Sequence, residues 1–212
     1  QITSGANSYT YHKRASFNGE VTHIQIPNTS FLTALTDEDW DIITYQQGSP
    51  LSGQYTTFAP HLQNIITYVR QNATNPNLKH ALFMTWAYPT TSTETGFGNY
   101  DNNQMTMYNA IVDTHKSAML NHDIDYLIPV GTAIQNARTL PSLQSLDNDM
   151  ASDGFHLGTL GDYIAGLTLF EVLATGDIMK DVTHFVQSKS LSYFGKIAVK
   201  NAVDNPFIVT DI

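Results

Sequence analysis

The sequence predicts an α/β fold built on a mainly parallel β-sheet with helices on both faces. Short apolar runs typical of buried strands alternate with longer segments whose apolar residues recur at helical spacing, and polar or glycine-containing turns separate them. Hydrophobic residues make up 42% of the 212 residues and charged residues 14%, a balance typical of a globular protein. We expect a single domain over residues 1–212, because this length suffices for one substantial core.

The first predicted element is a peripheral β-hairpin. The β-rich runs Tyr9–Arg14 and Val21–Ile26 flank Phe17–Glu20, whose Asn-Gly pair is a signal for a tight hairpin turn. The oxygens of Asn28–Ser30 can cap the amino terminus of a short helix that runs through Leu35.

Three apolar runs are predicted to form the parallel sheet, namely Trp40–Tyr45, His80–Trp86 and Asp125–Val130. Helices are predicted between and after these strands, at about Tyr55–Gln71, Gln104–Asn121, Leu160–Thr175 and Leu191–Ala202. The carboxyl ends of parallel strands meet at one edge of a sheet, where functional groups gather. We therefore expect Gln46, Tyr88 and Asn136 near that edge.

Composition excludes several classes of function. The net charge is −9 and the chain has no basic run, so nucleic acid is not an expected partner. The absence of cysteine excludes disulfides and thiolate chemistry but leaves the compartment open. No apolar run approaches the roughly 18 residues of a membrane span, so none is expected.

The histidines outside residues 152–158 show no spacing typical of a metal site. Because none forms a His-x-x-x-His or similar pattern, we expect surface or structural roles and no metal site. These residues are His12, His23, His61, His80, His115, His122 and His184.

The sharpest local motif is Ser152–Gly158, directly ahead of the helix predicted from Leu160. It contains Asp153 and His156. An Asp three residues before a His can accept the imidazole N–H, which leaves the other ring nitrogen available as a general base. The alternative is a helix-capping Asp beside a surface His.

The Asp153–His156 pair follows the third predicted strand and precedes a carboxyl-terminal helix. In this position the chain resembles the SGNH/GDSL-type hydrolase superfamily, whose last motif block is also Asp-x-x-His. The resemblance is to an uncharacterised branch of that superfamily. The resemblance covers nearly the whole chain and includes the segments 40–49 (WDIITYQQGS), 51–53 (LSG), 85–88 (TWAY), 128–133 (IPVGTA) and 205–207 (NPF). It implies a flavodoxin-like three-layer α/β/α fold. It also implies hydrolysis of an ester, often an acyl group on a carbohydrate or lipid, with catalytic Asp153 and His156 and without a metal or organic cofactor.

The resemblance implies further site residues, each with a structural alternative. Gln46 or Gln47 would bind the oxyanion, with Gln46 preferred, or else would bond loop backbone. Tyr88 and Trp86 would line the acyl or sugar site, or else belong to the core. Arg138 would hold an anionic group of the substrate, or else cap a helix end. The expected partner is a small-molecule or glycan ester.

The sequence contains no match to the motif that carries the nucleophilic serine in this superfamily. In the superfamily, that motif is a Gly-x-Ser block directly after the first and central strand. Ser4 follows no apolar strand, and Ser49 and Ser52 follow the run that resembles the third strand. We therefore expect an upstream segment with the central strand and the serine, in an exported (periplasmic or extracellular) bacterial esterase. The alternative is a serine-less relative that binds glycans without hydrolysing them.

Overall fold

The computed structural model describes residues 9–140, 150–174, 176–182 and 188–212. The sequence predictions for Ser4 and His184 lie outside these ranges. The chain divides into two compact units, one comprising Gln1–Ile43 and Pro60–Lys79, the other Thr44–Ala59 and His80–Ile212. The expected α/β class is confirmed, since strands and helices alternate along most of the chain.

The predicted hairpin is present in the first unit and is longer than its two β-rich runs. Strands β1 (Tyr9–Phe17) and β2 (Glu20–Thr29) pair antiparallel. The turn residues Asn18 and Gly19 have φ angles of 50° and 83°, the left-handed conformation that an Asn-Gly hairpin turn requires. Nearly every hairpin side chain is exposed or half-exposed, so the two strands have no core of their own.

The described part of the first unit also contains two helices. The predicted short helix is α1 (Phe31–Leu35), and its Ser30 cap is confirmed: the Ser30 hydroxyl accepts a hydrogen bond from the Thr33 amide at 3.0 Å. The second helix is α2 (His61–Asn72). It begins later than predicted because Pro60 occupies its N-cap, and a separate 3₁₀ turn covers Tyr55–Thr57 in the second unit.

The three predicted parallel strands form one sheet in the order β3 (Ile42–Tyr45), β4 (Lys79–Phe83) and β5 (Tyr126–Ile128). The β4 and β5 strands pair parallel. Among the described strands, none pairs with the other edge of β3. In β4, His80, Ala81 and Leu82 are buried, whereas most of β3 is half-exposed or exposed.

Helices cover much of the second unit, and the two shortest of them were not predicted. They are α3 (Gln104–Asn121), α4 (Val130–Ala137), α5 (Thr159–Leu173), α6 (Ile178–Asp181) and α7 (Lys189–Asp204). The α4 helix starts at Val130, which was predicted to be the last residue of a strand. Gly131 permits this, because a Cβ there would lie 2.2 Å from the carbonyl oxygen of Thr85.

The core of the second unit is rich in aromatic side chains. Its buried members are Met84, Ala87, Tyr88, Phe97, Tyr100, Met107, Tyr108, Ile111 and Val112. The half-buried Phe155 packs against this aromatic cluster, and α4, α5 and α7 pack against one another. None of the helices in the described ranges combines the length and apolar composition that crossing a membrane requires.

Candidate functional site

The segment Ser152–Gly158 is held by its own backbone before α5 begins. Asp153 Oδ1 accepts hydrogen bonds from the amides of Phe155 (3.1 Å) and His156 (2.8 Å). The chain can turn this tightly because Gly154 has a φ of 94°, a conformation that side chains disfavour. The turn brings residue 156 back over residue 153.

The hydrogen bond expected between Asp153 and His156 is confirmed. Asp153 Oδ2 accepts from His156 Nδ1 at 2.7 Å, which places the proton of the neutral ring on Nδ1 and leaves Nε2 as its basic nitrogen. The hydrogen bond from the imidazole, aided by the backbone amides, lowers the pKa of Asp153 to about 2. The Asp153 and His156 side chains are 49% and 70% exposed.

Two aromatic residues anchor this segment to the core of the second unit. Trp86, just beyond the end of β4, donates from Nε1 to the carbonyl oxygen of Phe155 at 2.7 Å. The Phe155 ring packs edge-on to Tyr88 with centroids 6.3 Å apart, and its centroid is 3.9 Å from that of His156. The exposed His156 imidazole is thus connected to the buried aromatic core through Phe155, its neighbour in the chain.

The two candidate oxyanion donors differ in their surroundings. Gln47 Nε2 donates to Thr57 Oγ1 (3.0 Å) and to the Thr57 carbonyl (3.2 Å), while its Oε1 accepts from the Gly48 amide (2.9 Å). Its side chain therefore stabilises its own loop. The Gln46 side chain is exposed and makes no hydrogen bond to any described residue.

Ser49 and Ser52, the two considered serines that the structure describes, bond to groups other than His156. Ser49 Oγ lies 2.8 Å from the hydroxyl of Tyr88, and the buried Ser52 Oγ accepts from Thr85 Oγ1 at 2.6 Å. Within the described ranges, no serine hydroxyl forms a hydrogen bond with His156. Ser92 approaches the same segment, since its Oγ lies 3.6 Å from the position that a Cβ on Gly154 would occupy.

The remaining candidates are mostly buried. Tyr88 is fully buried, and burial raises the pKa of its hydroxyl. Arg138 is also buried and donates to the carbonyl oxygen of Ala87 at 3.0 Å. Trp86 alone among these candidates is half-exposed. Tyr88 therefore lies in the core, and Arg138 is buried at the carboxyl end of α4.

Asn136 lies on α4 and not in a strand-end turn. Its side chain donates to the carbonyl oxygen of Ala198 at 3.1 Å and accepts from the amide of Thr210 at 2.7 Å. These bonds tie α4 to α7 and to the carboxyl-terminal tail, which is a structural role.

The two contacts that hold the segment in place were not predicted from sequence. Trp86 was expected to meet the substrate, and its hydrogen bond to Phe155 spans 69 residues of sequence. Phe155 was not singled out, although an aromatic residue beside a candidate general base is a usable signal for an anchor. No group of three or more His, Asp or Glu side chains in the described part of the chain could hold a metal ion.

Comparison with known proteins identifies a family. The family model described as a domain of unknown function (DUF4886) matches residues 1–204. A crystal structure of a DUF4886 family protein from Bacteroides uniformis ATCC 8492 is 37% identical, with a TM-score of 0.89, over 100% of this chain and 79% of that chain. No curated protein shows a significant match. The chain therefore belongs to the DUF4886 family.

Proposed function

We propose that this chain is part of a serine ester hydrolase of the SGNH/GDSL type, which removes an acyl group from a carbohydrate or lipid. The observation that carries the proposal is the hydrogen bond between Asp153 and His156. The carboxylate fixes the imidazole tautomer and can stabilise the imidazolium that forms during proton transfer. The exposed His156 has a basic Nε2 that can take a proton from a serine hydroxyl.

The chemical steps follow from this pair. A serine hydroxyl attacks the ester carbonyl while His156 Nε2 takes its proton, and the imidazolium then protonates the departing alcohol. Water hydrolyses the resulting acyl-serine by the same route and releases the acid. No metal or organic cofactor takes part in this scheme.

Gln46 is the better candidate for the oxyanion donor. The amide of Gln47 already donates twice to Thr57, so using it would break bonds that hold the loop. Gln46 directly follows β3, and its side chain has no bond to give up among the described residues. An amide fixed at a strand end can stabilise the developing negative charge.

The edge of β3 supports a flavodoxin-like sheet with a further strand. Strands of parallel sheets are normally buried on both faces. Among the described strands, β3 has one partner, and most of its side chains keep some exposure to solvent. A strand from an upstream segment would pair with the other edge of β3. That segment would also carry the nucleophilic serine and would place its hydroxyl near His156. The complete enzyme would be an exported protein.

The second candidate is a relative of the same fold that binds glycans without hydrolysing them. It is favoured by one observation: within the described ranges, no serine hydroxyl bonds to His156. The exposed His156 and half-exposed Trp86 would then form part of a binding surface.

The test is to label the full gene product with a fluorophosphonate and to map the modified residue by mass spectrometry, alongside hydrolysis of p-nitrophenyl acetate. We expect one labelled serine on an upstream segment. Label and hydrolysis should be lost in His156→Ala and retained in His61→Ala, a control at another exposed histidine.

Each other outcome has a distinct meaning. Label on Ser49, Ser52 or Ser92 would support the esterase activity but would show that the nucleophilic serine does not lie on an upstream segment. The absence of both label and hydrolysis in a folded protein would reject the esterase. Saturable binding of a glycan by that inactive protein would then support the second candidate.

A further inference from the structure

A second arrangement of histidines lies on the hairpin, apart from the candidate esterase site. The β1–β2 register pairs His12 with Gln25 and Arg14 with His23, so the two histidines point to the same face from neighbouring strands. His12 Nδ1 and His23 Nε2 are 3.2 Å apart, with ring centroids 5.4 Å apart and planes inclined by 23°. Both side chains reach solvent.

The separation of these two nitrogens suits a shared metal ion. Imidazole nitrogens bind Zn²⁺ at about 2.0–2.1 Å, so two ligands of one tetrahedral ion lie roughly 3.3 Å apart. The observed 3.2 Å also suits one hydrogen bond, in which a ring proton of one histidine occupies the space between the nitrogens. A metal ion would replace that single proton, and each ring would turn so that its nitrogen lone pair points at the ion.

We propose that His12 and His23 form a surface site for a divalent transition metal such as Zn²⁺, Ni²⁺ or Cu²⁺. Neutral imidazole suits these ions better than it suits Ca²⁺ or Mg²⁺, which prefer oxygen. The described part of the chain brings no third His, Asp or Glu into such a cluster, so water completes the coordination. Arg14 lies opposite His23 and weakens the site through its positive charge.

Metal binding here would stabilise the hairpin. An isolated two-stranded hairpin is marginal in water, and these strands have few buried side chains. An ion held by one histidine from each strand cross-links them about midway along their length. Because the ion binds only when the strands are paired, it shifts the equilibrium towards the paired hairpin.

The experiment is a calorimetric titration of tag-free protein with ZnCl₂, NiCl₂ and CuCl₂ in a non-chelating buffer, with MgCl₂ as the reference ion. We expect saturable uptake of one transition-metal ion per chain and none of Mg²⁺. His12→Gln and His23→Gln should each abolish uptake, because a single imidazole does not hold the ion. His61→Gln, which removes another exposed histidine, should leave it unchanged.

Hydrogen exchange provides an independent readout at the hairpin. Added Zn²⁺ should slow amide exchange in β1 and β2 of the unaltered protein but not in His23→Gln. The proposal is wrong if the protein takes up no transition metal. It is equally wrong if uptake survives both hairpin substitutions, or if His61→Gln lowers it as much as they do.

Discussion

The segment around His156 and the hairpin both present histidines to solvent, but they support them differently. His156 is held by the Asp153 carboxylate and by its own amide, and the adjacent Phe155 is fixed by Trp86 and packed against buried aromatic residues. His12 and His23 have only the pairing of their strands and each other. Exposure alone therefore does not tell whether a histidine is pre-organised; what lies behind it does.

The apolar side chains of the two regions show the same difference. Phe97 is fully buried in the aromatic cluster. On the hairpin, Phe17 and Val21 are 79% and 68% exposed. Burial stabilises a side chain by removing apolar area from water, so the aromatic cluster contributes to folding and the hairpin contributes little.

Replacing one phenylalanine in each region gives the largest expected difference. Phe97→Ala should lower the free energy of unfolding by about 3–5 kcal/mol, because it leaves a cavity in a packed core. Phe17→Ala should change it by less than about 0.5 kcal/mol. Urea unfolding followed by circular dichroism measures both, and similar losses would show that the hairpin is more integrated than its exposure indicates.

Substitutions of the adjacent residues Gln46 and Gln47 test whether one has the proposed catalytic role and the other a structural role. On the proposed esterase function, Gln46→Ala should reduce ester turnover by ~10²-fold with unchanged stability, because the proposed oxyanion donor is lost while no bond to a described residue is broken. Gln47→Ala should mainly lower stability, by about 1 kcal/mol, because it removes the bonds to Thr57. Turnover and urea unfolding are measured on both variants. A reversal of the two effects would exchange the roles of the glutamines.

Trp86→Phe tests the anchor behind His156. The substitution removes the hydrogen bond to the Phe155 carbonyl while keeping most of the apolar contact, and should cost about 1 kcal/mol. Amide exchange at residues 155–158 should quicken, whereas exchange in the hairpin should not change. If the segment exchanges as slowly as before, its own turn suffices to hold His156.

The smallest expected effect is the acid titration of two carboxylates: Asp153, which bonds His156, and Asp37, which bonds the hairpin residue Lys13. The pKa of Asp153 is lowered to about 2 by His156, and that of Asp37 is lowered chiefly by Lys13. His156→Ala should raise the pKa of Asp153 towards its ordinary value and leave that of Asp37 unchanged. Carbon-13 NMR of the carboxyl groups measures both titrations.

The sign of the pH effect follows from the direction of that shift. A carboxyl whose pKa is lower in the folded protein contributes stability above its ordinary pKa and loses it as the pH falls. The Asp153–His156 pair should therefore weaken as the pH falls from about 4 towards about 2. An unchanged Asp153 titration in His156→Ala would mean that the backbone amides alone account for the shift.

The sequence by itself determined the features that depend on neighbours in the chain. The Asn18–Gly19 turn, the Ser30 cap of α1 and the bounds of α3 follow from local backbone preferences and helical spacing. The Asp153–His156 bond belongs to the same group, because a three-residue spacing with Gly154 between them closes one turn. Local geometry allows few alternatives for such short segments.

Only the tertiary structure decided which distant residues meet. Trp86 reaches Phe155 across 69 residues, and Gln47 bonds Thr57 while Gln46 stays exposed. His12 and His23, eleven residues apart, come together only because the hairpin register pairs their neighbours. Helix α4 begins at Val130, the last residue of a predicted strand, and Gly131 can approach the Thr85 carbonyl there. Such contacts depend on strand register and on the space left by packing, which sequence spacing does not encode.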